Sequence, residues 1–230
     1  MSPSAPPPRR PPASGSSPQT VRDTGARRPR RAGGGWAAWR DDLTALLDAE
    51  DIDRAPIVGF SGGGPFALAS APGDRTTRVG VIGSVVPPAR NPLTLLSRVP
   101  FALGALFRVA RLVARVRGPE SVVAQYTDER VSDAVAGAVA ADFHEALRQG
   151  PTAAVRETRL FAEESVGAFP SSTPVRAWHG TRDGNAPIGP VRSLLDGDRD
   201  TVVTVERDHL GTLLACRRDA FTWATDGASR

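Results

Sequence analysis

The chain has 230 residues, of which 40% are hydrophobic and 23% charged, a balance typical of a folded domain rather than of a wholly disordered chain. Its formal net charge is +4, but residues 1–40 hold eight Arg and one Asp, so the remaining residues carry about −3 and do not favour a nucleic-acid partner. All 29 basic residues are Arg, and the absence of Lys excludes a P-loop lysine, a Schiff-base lysine and a Ser–Lys dyad.

Residues 1–35 are dense in Pro, Arg, Gly and Ser and show neither helical nor strand periodicity. Such a segment buries too little apolar surface to offset its ordering entropy, so we predict disorder. The basic run 27–31 is also compatible with a nucleic-acid or import signal, but a solvated tail is favoured. The single Cys cannot form an internal disulfide, so nothing implies an oxidising compartment and a cytoplasmic location is expected. No apolar run of the secretory type and no uncharged stretch of membrane-spanning length occurs in the sequence.

Helix and strand patterns alternate after this segment. Large apolar residues at three- and four-residue steps predict a helix over residues 36–50. A short apolar run over 56–60 predicts a buried strand, residues 62–71 predict the next helix, and 79–83 predict a second buried strand. The alternation indicates an α/β fold, with a mostly parallel sheet flanked by helices.

Residues 91–168 show several helical stretches and no convincing strand, which predicts a helical insertion. Strand patterns resume over 175–179 and 201–205, and a last helix is predicted over 210–224. The chain is therefore divided into a disordered tail over residues 1–35, a first core segment over 36–90, a helical cap over 91–170 and a second core segment over 171–230.

The pentapeptide Gly59-Phe60-Ser61-Gly62-Gly63 has the G-x-S-x-G pattern of a nucleophile elbow. The pattern requires a strand, a sharp turn and a helix, which together expose the serine hydroxyl above the sheet. The predicted strand over 56–60 and the helix that follows supply this context. Glycines two residues before and two after the serine are expected to avoid collisions in the strained turn.

A serine hydroxyl needs an imidazole to take its proton and a carboxylate to orient that imidazole. His209 lies just beyond the last predicted strand, whereas His179 lies within a strand and His144 within the insertion. Asp183 follows the strand that ends at His179, at a carboxyl end where catalytic groups collect. Asp183 is favoured over the rival acids in this part of the chain, which are Asp196, Asp198, Asp200 and Asp208.

Three blocks resemble the C-terminal part of an α/β-hydrolase-fold enzyme: Ile57 to Pro65, Trp178 to Asp183, and Asp208 to Gly211. The resemblance runs from about residue 36 to the end of the chain. It implies that Ser61 is the nucleophile, His209 the general base, Asp183 its orienting acid and the Gly62 N–H one oxyanion donor. It also implies hydrolysis of a small ester or related acyl compound without a cofactor.

Members of this family carry further strands before the nucleophile strand and a His-Gly loop that gives a second oxyanion donor. The first 35 residues contain neither pattern, which suggests a sheet truncated at its N-terminal side. One missing donor costs about 3 kcal/mol of transition-state stabilisation. The strand over 56–60 would then form an apolar sheet edge, which invites aggregation.

The stretch over residues 100–113 is apolar but studded with Arg. It is compatible with a helix on a membrane surface, but a cap helix packing its apolar side over the active-site mouth is favoured. A cap of this kind implies a small-molecule substrate with an apolar portion.

Two other readings remain open. The pattern Gly62-x-Gly64-x-x-Ala67 resembles a dinucleotide-binding fingerprint, although residues 80–88 lack the acid that would bind ribose. The other reading is a catalytically inactive, truncated hydrolase fragment. Three scattered His and one Cys show no metal-ligand spacing, so no metal is expected, and Cys216 is predicted to be a buried helix residue. The sequence does not indicate an oligomeric state.

Overall fold

The computed structural model of the chain describes residues 35–166, 172–195 and 201–226. Within these parts four strands form one sheet: β1 (Ala55–Phe60), β2 (Thr76–Ile82), β3 (Val175–Gly180) and β4 (Thr201–Val205). All of them pair in parallel, in the order in which they occur in the chain. The predicted mostly parallel α/β sheet is therefore confirmed. The predicted disordered tail lies outside the described residues, apart from Gly35.

The helices of the described residues lie before, between and after these strands. A single turn of 3-10 helix at Ser61–Gly63 follows β1 directly. The α-helices are α1 (Trp36–Ala49), α2 (Gly64–Ala69), α3 (Pro92–Leu96), α4 (Pro100–Arg117), α5 (Pro119–Val123), α6 (Asp133–Ala146), α7 (Thr152–Glu163), α8 (Ile188–Leu194) and α9 (His209–Thr225).

Helices cover both faces of the sheet because successive strand residues point to opposite sides. On one face Val81 and Ala177 pack in a buried cluster with residues of α1, α2 and α8. On the other face Ile82 and Trp178 pack against α9, where Cys216 is buried as predicted. The sheet is thus the middle layer of three, and β1 lies at one edge of it.

Most predicted elements lie close to their expected bounds, with two differences. The helix predicted over 62–71 is divided into the 3-10 turn and α2, because the backbone turns sharply directly after β1. The sequence did not predict α8, since Gly189 and Pro190 fall inside this short helix and weaken its pattern.

The segment between β2 and β3, called the helical insertion below, consists of α3 to α7 and contains no described strand. Its small core meets α9 through Leu210, which packs with Val123 and Ala136. The α4 helix differs from expectation, because one of its apolar sides faces outward: Phe101 and Val116 are among the most exposed large hydrophobic residues. Among the described residues no helix has the length and apolar character needed to cross a membrane.

Candidate active site

Ser61 occupies a strained turn between β1 and α2. Its φ is +52°, a left-handed conformation that non-glycine residues rarely adopt outside constrained sites. The turn is held in place by the loop after β2, since the Val85 N–H donates to the Ser61 carbonyl oxygen at 3.3 Å. The serine therefore lies at the carboxyl end of the sheet, as the elbow pattern predicts.

The glycines around Ser61 differ in how much space a side chain would have. A Cβ at Gly59 would collide with the backbone of Gly63 and Gly64, as expected for a tight turn. A Cβ at Gly63 would meet nothing within 4 Å, so crowding does not explain that glycine. A Cβ at Gly64 would instead collide with Ser84. The expected crowding is therefore present two residues before the serine and three residues after it.

The structure brings the three predicted catalytic side chains into one hydrogen-bonded chain. The Ser61 Oγ and His209 Nε2 atoms are 2.8 Å apart. The His209 Nδ1 and Asp183 Oδ2 atoms are also 2.8 Å apart. Both the imidazole and the carboxylate are almost fully buried, so neither is solvated in competition with these bonds. The three residues come from the loops and turns that follow β1, β3 and β4.

The Asp183 carboxylate is held on both oxygens. While Oδ2 accepts from His209, Oδ1 accepts from the backbone N–H groups of Asn185 and Ala186, each at 2.9 Å. Burial by itself raises the pKa of Asp183, but the hydrogen bonds to His209 and to the backbone, with the attraction of the imidazole, outweigh it. The net effect holds the pKa of Asp183 below its ordinary range, so the group stays a carboxylate.

Gly83 lies against the His209–Asp183 pair, an approach that the sequence did not indicate. Its φ is +49°, and a Cβ there would be 3.2 Å from Asp183 Oδ2 and 3.3 Å from His209 Nδ1. Any side chain would press on the hydrogen bond between acid and base. The sequence signal for this role is that Gly83 directly follows β2, the strand that pairs with the nucleophile strand β1.

The other two histidines lie where the sequence placed them, in β3 and α6. His179 is fully buried and donates from Nε2 to the Ala186 carbonyl oxygen at 2.8 Å. That bond ties the strand to the loop carrying Asp183, whose Oδ2 lies 3.8 Å from the same nitrogen. His179 therefore braces the acid loop, while His144 lies in the insertion.

Among the rival acids, Asp208 has another role. It caps the N-terminus of α9 by accepting from the Gly211 N–H at 2.9 Å, while its second oxygen accepts from the Thr127 hydroxyl at 2.7 Å. Burial raises the pKa of Asp208. The pKa is lowered by these two hydrogen bonds, by a third from the Asp128 N–H and by the nearby Arg182, and the net effect is a pKa below the ordinary range. The remaining rivals, Asp196, Asp198 and Asp200, lie outside the described residues.

The segment 125–128 of the helical insertion lies over the histidine. The Tyr126 ring is stacked near His209, with ring centroids 6.1 Å apart and planes at 30°. Its carbonyl oxygen accepts from the Leu210 N–H at 3.0 Å, and the Gln125 carbonyl accepts from the Asn185 side chain at 3.0 Å. The insertion is therefore bonded to both the acid loop and the start of α9.

Gly62 lies in the first turn of the 3-10 helix, where backbone N–H groups have no acceptor within the helix. A Cβ at Gly62 would be 3.3 Å from the Phe161 ring of α7, so an apolar wall stands close to this N–H. A cavity of about 220 Å³ lies beside the loop after β2 and is lined by Val85, Val86, Asn185, Pro187 and neighbouring residues. Val85 is also the residue whose N–H donates to the Ser61 carbonyl oxygen. The lining of the cavity is largely apolar.

The fold has counterparts among solved structures. A hydrolase from Pseudomonas aeruginosa superposes with a TM-score of 0.66 and 16% identity, over 90% of this chain and 77% of that one. An esterase from Exiguobacterium antarcticum gives 0.61 and 13%, over 88% and 76%. An α/β-hydrolase-fold protein from Burkholderia ambifaria gives 0.56 and 19%, over 84% and 74%. This chain has the α/β-hydrolase fold.

No protein-family model and no curated protein matches the sequence. The fold replaces the dinucleotide-binding interpretation. In that interpretation Gly64 would leave room for a pyrophosphate, but Ser84 fills the space in front of it. In the α/β-hydrolase fold, Gly64 allows α2 to pack closely on the loop after β2.

Proposed function

We propose that the chain is a serine hydrolase that cleaves small esters or related acyl compounds through an acyl-enzyme, without a cofactor. Ser61 is the nucleophile, His209 the general base and Asp183 the orienting acid. The observation that carries the proposal is the pair of 2.8 Å contacts linking serine, imidazole and carboxylate in that order. A hydrogen-bonded nucleophile and base, with the base oriented by a third group, is the arrangement that this chemistry requires.

The reaction follows from these contacts. The Nδ1–H of His209 donates to Asp183, which leaves Nε2 as an acceptor for the Ser61 proton. As Oγ attacks the substrate carbonyl carbon, the proton passes to Nε2 and the carbonyl oxygen becomes an oxyanion facing the Gly62 N–H. Collapse of this intermediate expels the alcohol, which takes the proton from His209. Water then repeats the sequence on the ester formed at Ser61 and releases the acid.

The surroundings of the site favour a small substrate with an apolar portion. Phe161 lies beside Gly62. Val85, which binds the Ser61 carbonyl oxygen, lines a largely apolar cavity of about 220 Å³. The helical insertion, over residues 91–170, is the proposed cap, and the core segments are 36–90 and 171–230. The solved structure of an esterase with this fold supports an ester as the substrate class. The cytoplasmic location and the absence of a nucleic-acid partner stay predictions.

Labelling with a fluorophosphonate probe tests whether Ser61 is activated. The wild-type protein and a Ser193→Ala variant, which changes an exposed serine of α8, are expected to label alike, whereas Ser61→Ala is expected not to label. A folded wild-type protein that fails to label would mean that the chain is an inactive hydrolase scaffold. In the same samples, p-nitrophenyl acetate and butyrate are expected to be cleaved faster than the octanoate, because the cavity is small.

A further inference from the structure

The α4 helix has two apolar faces, and among the described residues only one of them is covered. On its inner face Leu103, Gly104 and Ala114 are buried, and Ala114 packs with Val122 of α5 and Ala140 of α6. Its outer face carries large apolar residues that are exposed, among them Phe101 at 84%, Val116 at 78% and Leu112 at 62%. Packing of the parts that the structure describes therefore leaves a second apolar stripe in solvent.

The exposed residues form a continuous stripe rather than a scatter. Successive residues of an α-helix are about 100° apart, so the exposed apolar residues fall within roughly 140° of the helix circumference. These residues are Phe101, Leu106, Val109, Leu112, Val113 and Val116, called the outer stripe below. Val99 and Leu95, which precede the helix, are also exposed and lengthen this apolar surface.

Arginines border the outer stripe on both sides. By the same rotation Arg108 and Arg115 fall on one border and Arg117 on the other, and all three are exposed. No acidic residue occurs in the sequence between Asp74 and Glu120, so every charged residue of α4 itself is an arginine. An apolar strip between cationic borders complements a surface whose interior is apolar and whose outer layer is anionic.

We propose that the outer stripe binds the surface of an anionic lipid bilayer, with α4 lying in the plane of the interface. The apolar residues enter the boundary between headgroups and acyl chains, and the bordering arginines contact lipid phosphates. A second copy of this chain fits the same surface poorly, because pairing two stripes would bring their arginines together with no carboxylate on the helix to separate them. The proposal requires no catalysis, so it stands or falls independently of the proposed hydrolase activity.

A fluorescent label reports insertion directly. Cys216 is buried and is the only cysteine of the chain, so in a Cys216→Ala background a single new cysteine is labelled with the environment-sensitive dye NBD. Val109→Cys places the dye on the outer stripe, and Phe221→Cys places it on α9 at a site with the same 57% exposure. Phosphatidylcholine vesicles containing phosphatidylglycerol are expected to blue-shift and intensify the emission of the dye at position 109 but not of the dye at position 221. Vesicles of pure phosphatidylcholine are expected to change the emission at position 109 only weakly.

Vesicle co-sedimentation measures the strength of binding. Replacing Phe101, Val109 and Val116 together by Ser is expected to lower partitioning by about tenfold or more, while Phe221→Ser leaves it unchanged. The triple variant keeps every arginine, including the eight in residues 1–40. A loss of vesicle binding therefore cannot come from a weaker attraction between arginines and lipid phosphates. Equal binding of this variant, or an unshifted label at 109, would overturn the proposal. Light scattering that shows a dimer of the wild-type protein, and a monomer only for the triple variant, would overturn the bilayer proposal in favour of a second copy of the chain.

Discussion

Thr127 and Asp208 are 81 residues apart in the chain and are joined by a hydrogen bond of 2.7 Å from the threonine hydroxyl to the carboxylate. The same oxygen accepts from the Asp128 N–H at 3.0 Å, while the other oxygen caps α9. His209 is the first residue of that helix. One carboxylate therefore joins the helical insertion to the residue that contacts Ser61.

Replacing Thr127 by Val removes this bond and keeps the shape of the side chain. The loss of a hydrogen bond to a charged group is expected to lower the free energy of unfolding by about 1.5 kcal/mol. Turnover of p-nitrophenyl acetate is expected to fall as well, since the start of α9 loses a restraint. Urea unfolding and steady-state kinetics measure the two effects. Thr127→Ser should restore both, and a Val variant that matches wild type in both would refute the coupling.

Gly83→Ala is expected to impair the site more than the fold. The new methyl group would stand 3.2 Å from Asp183 Oδ2 and 3.3 Å from His209 Nδ1, and displacing catalytic groups by about 1 Å costs roughly a hundredfold in rate. Gly118→Ala is the matched control, because Gly118 also has a positive φ but has nothing within 4 Å of its Cβ position. Comparable kcat values for the two variants would contradict the role given to Gly83.

Asp183→Asn is expected to lower kcat by about 10⁴-fold, because an amide favours the wrong imidazole tautomer. It should also change how stability depends on pH. The pKa of Asp183 is depressed in the folded protein, so its contribution is present above the unfolded pKa of about 3.9 and is lost as pH falls through the folded pKa.

The stability difference between wild type and Asp183→Asn should therefore shrink as the pH is lowered below about 4. Urea unfolding between neutral and acidic pH measures it, with Asp53→Asn at an exposed site as the control. A difference that stays constant through this range would show that the folded protein does not favour the carboxylate.

Trp178 and Asp219 fix α9 to the sheet. The indole Nε1–H of buried Trp178 donates to the Asp219 carboxylate at 2.6 Å. A double-mutant cycle with Trp178→Phe and Asp219→Ala is expected to give a coupling energy of about 1.5 kcal/mol in urea unfolding. Additive effects of the two substitutions would mean that the bond contributes nothing measurable.

The sequence predicted the sheet and the positions of Ser61, Asp183 and His209 because each depends on a local sequence pattern. Apolar runs located the strands, and a carboxyl-end position marked Asp183 and His209. Parallel strands bring their carboxyl ends to one edge, so locating the strands also brought these residues together.

The sequence did not predict features that depend on packing between distant segments. Gly83, which approaches Asp183 and His209, and Asp208, which binds Thr127, act through contacts with no local signature. The orientation of α4 was missed for a related reason. Both of its sides are apolar, so periodicity alone could not tell which one packs inward.

In the described residues β1 has a strand partner on one side only, and Ser61 follows β1 directly. Opening this one ladder would separate the serine from His209 while the other strands stay paired, a partial unfolding that costs less than the global transition. On heating, the rate of fluorophosphonate labelling is therefore expected to fall at a lower temperature than the far-ultraviolet circular dichroism signal. The working lifetime of such an enzyme would be set by the opening of a single edge strand, and selection for heat resistance would act there first.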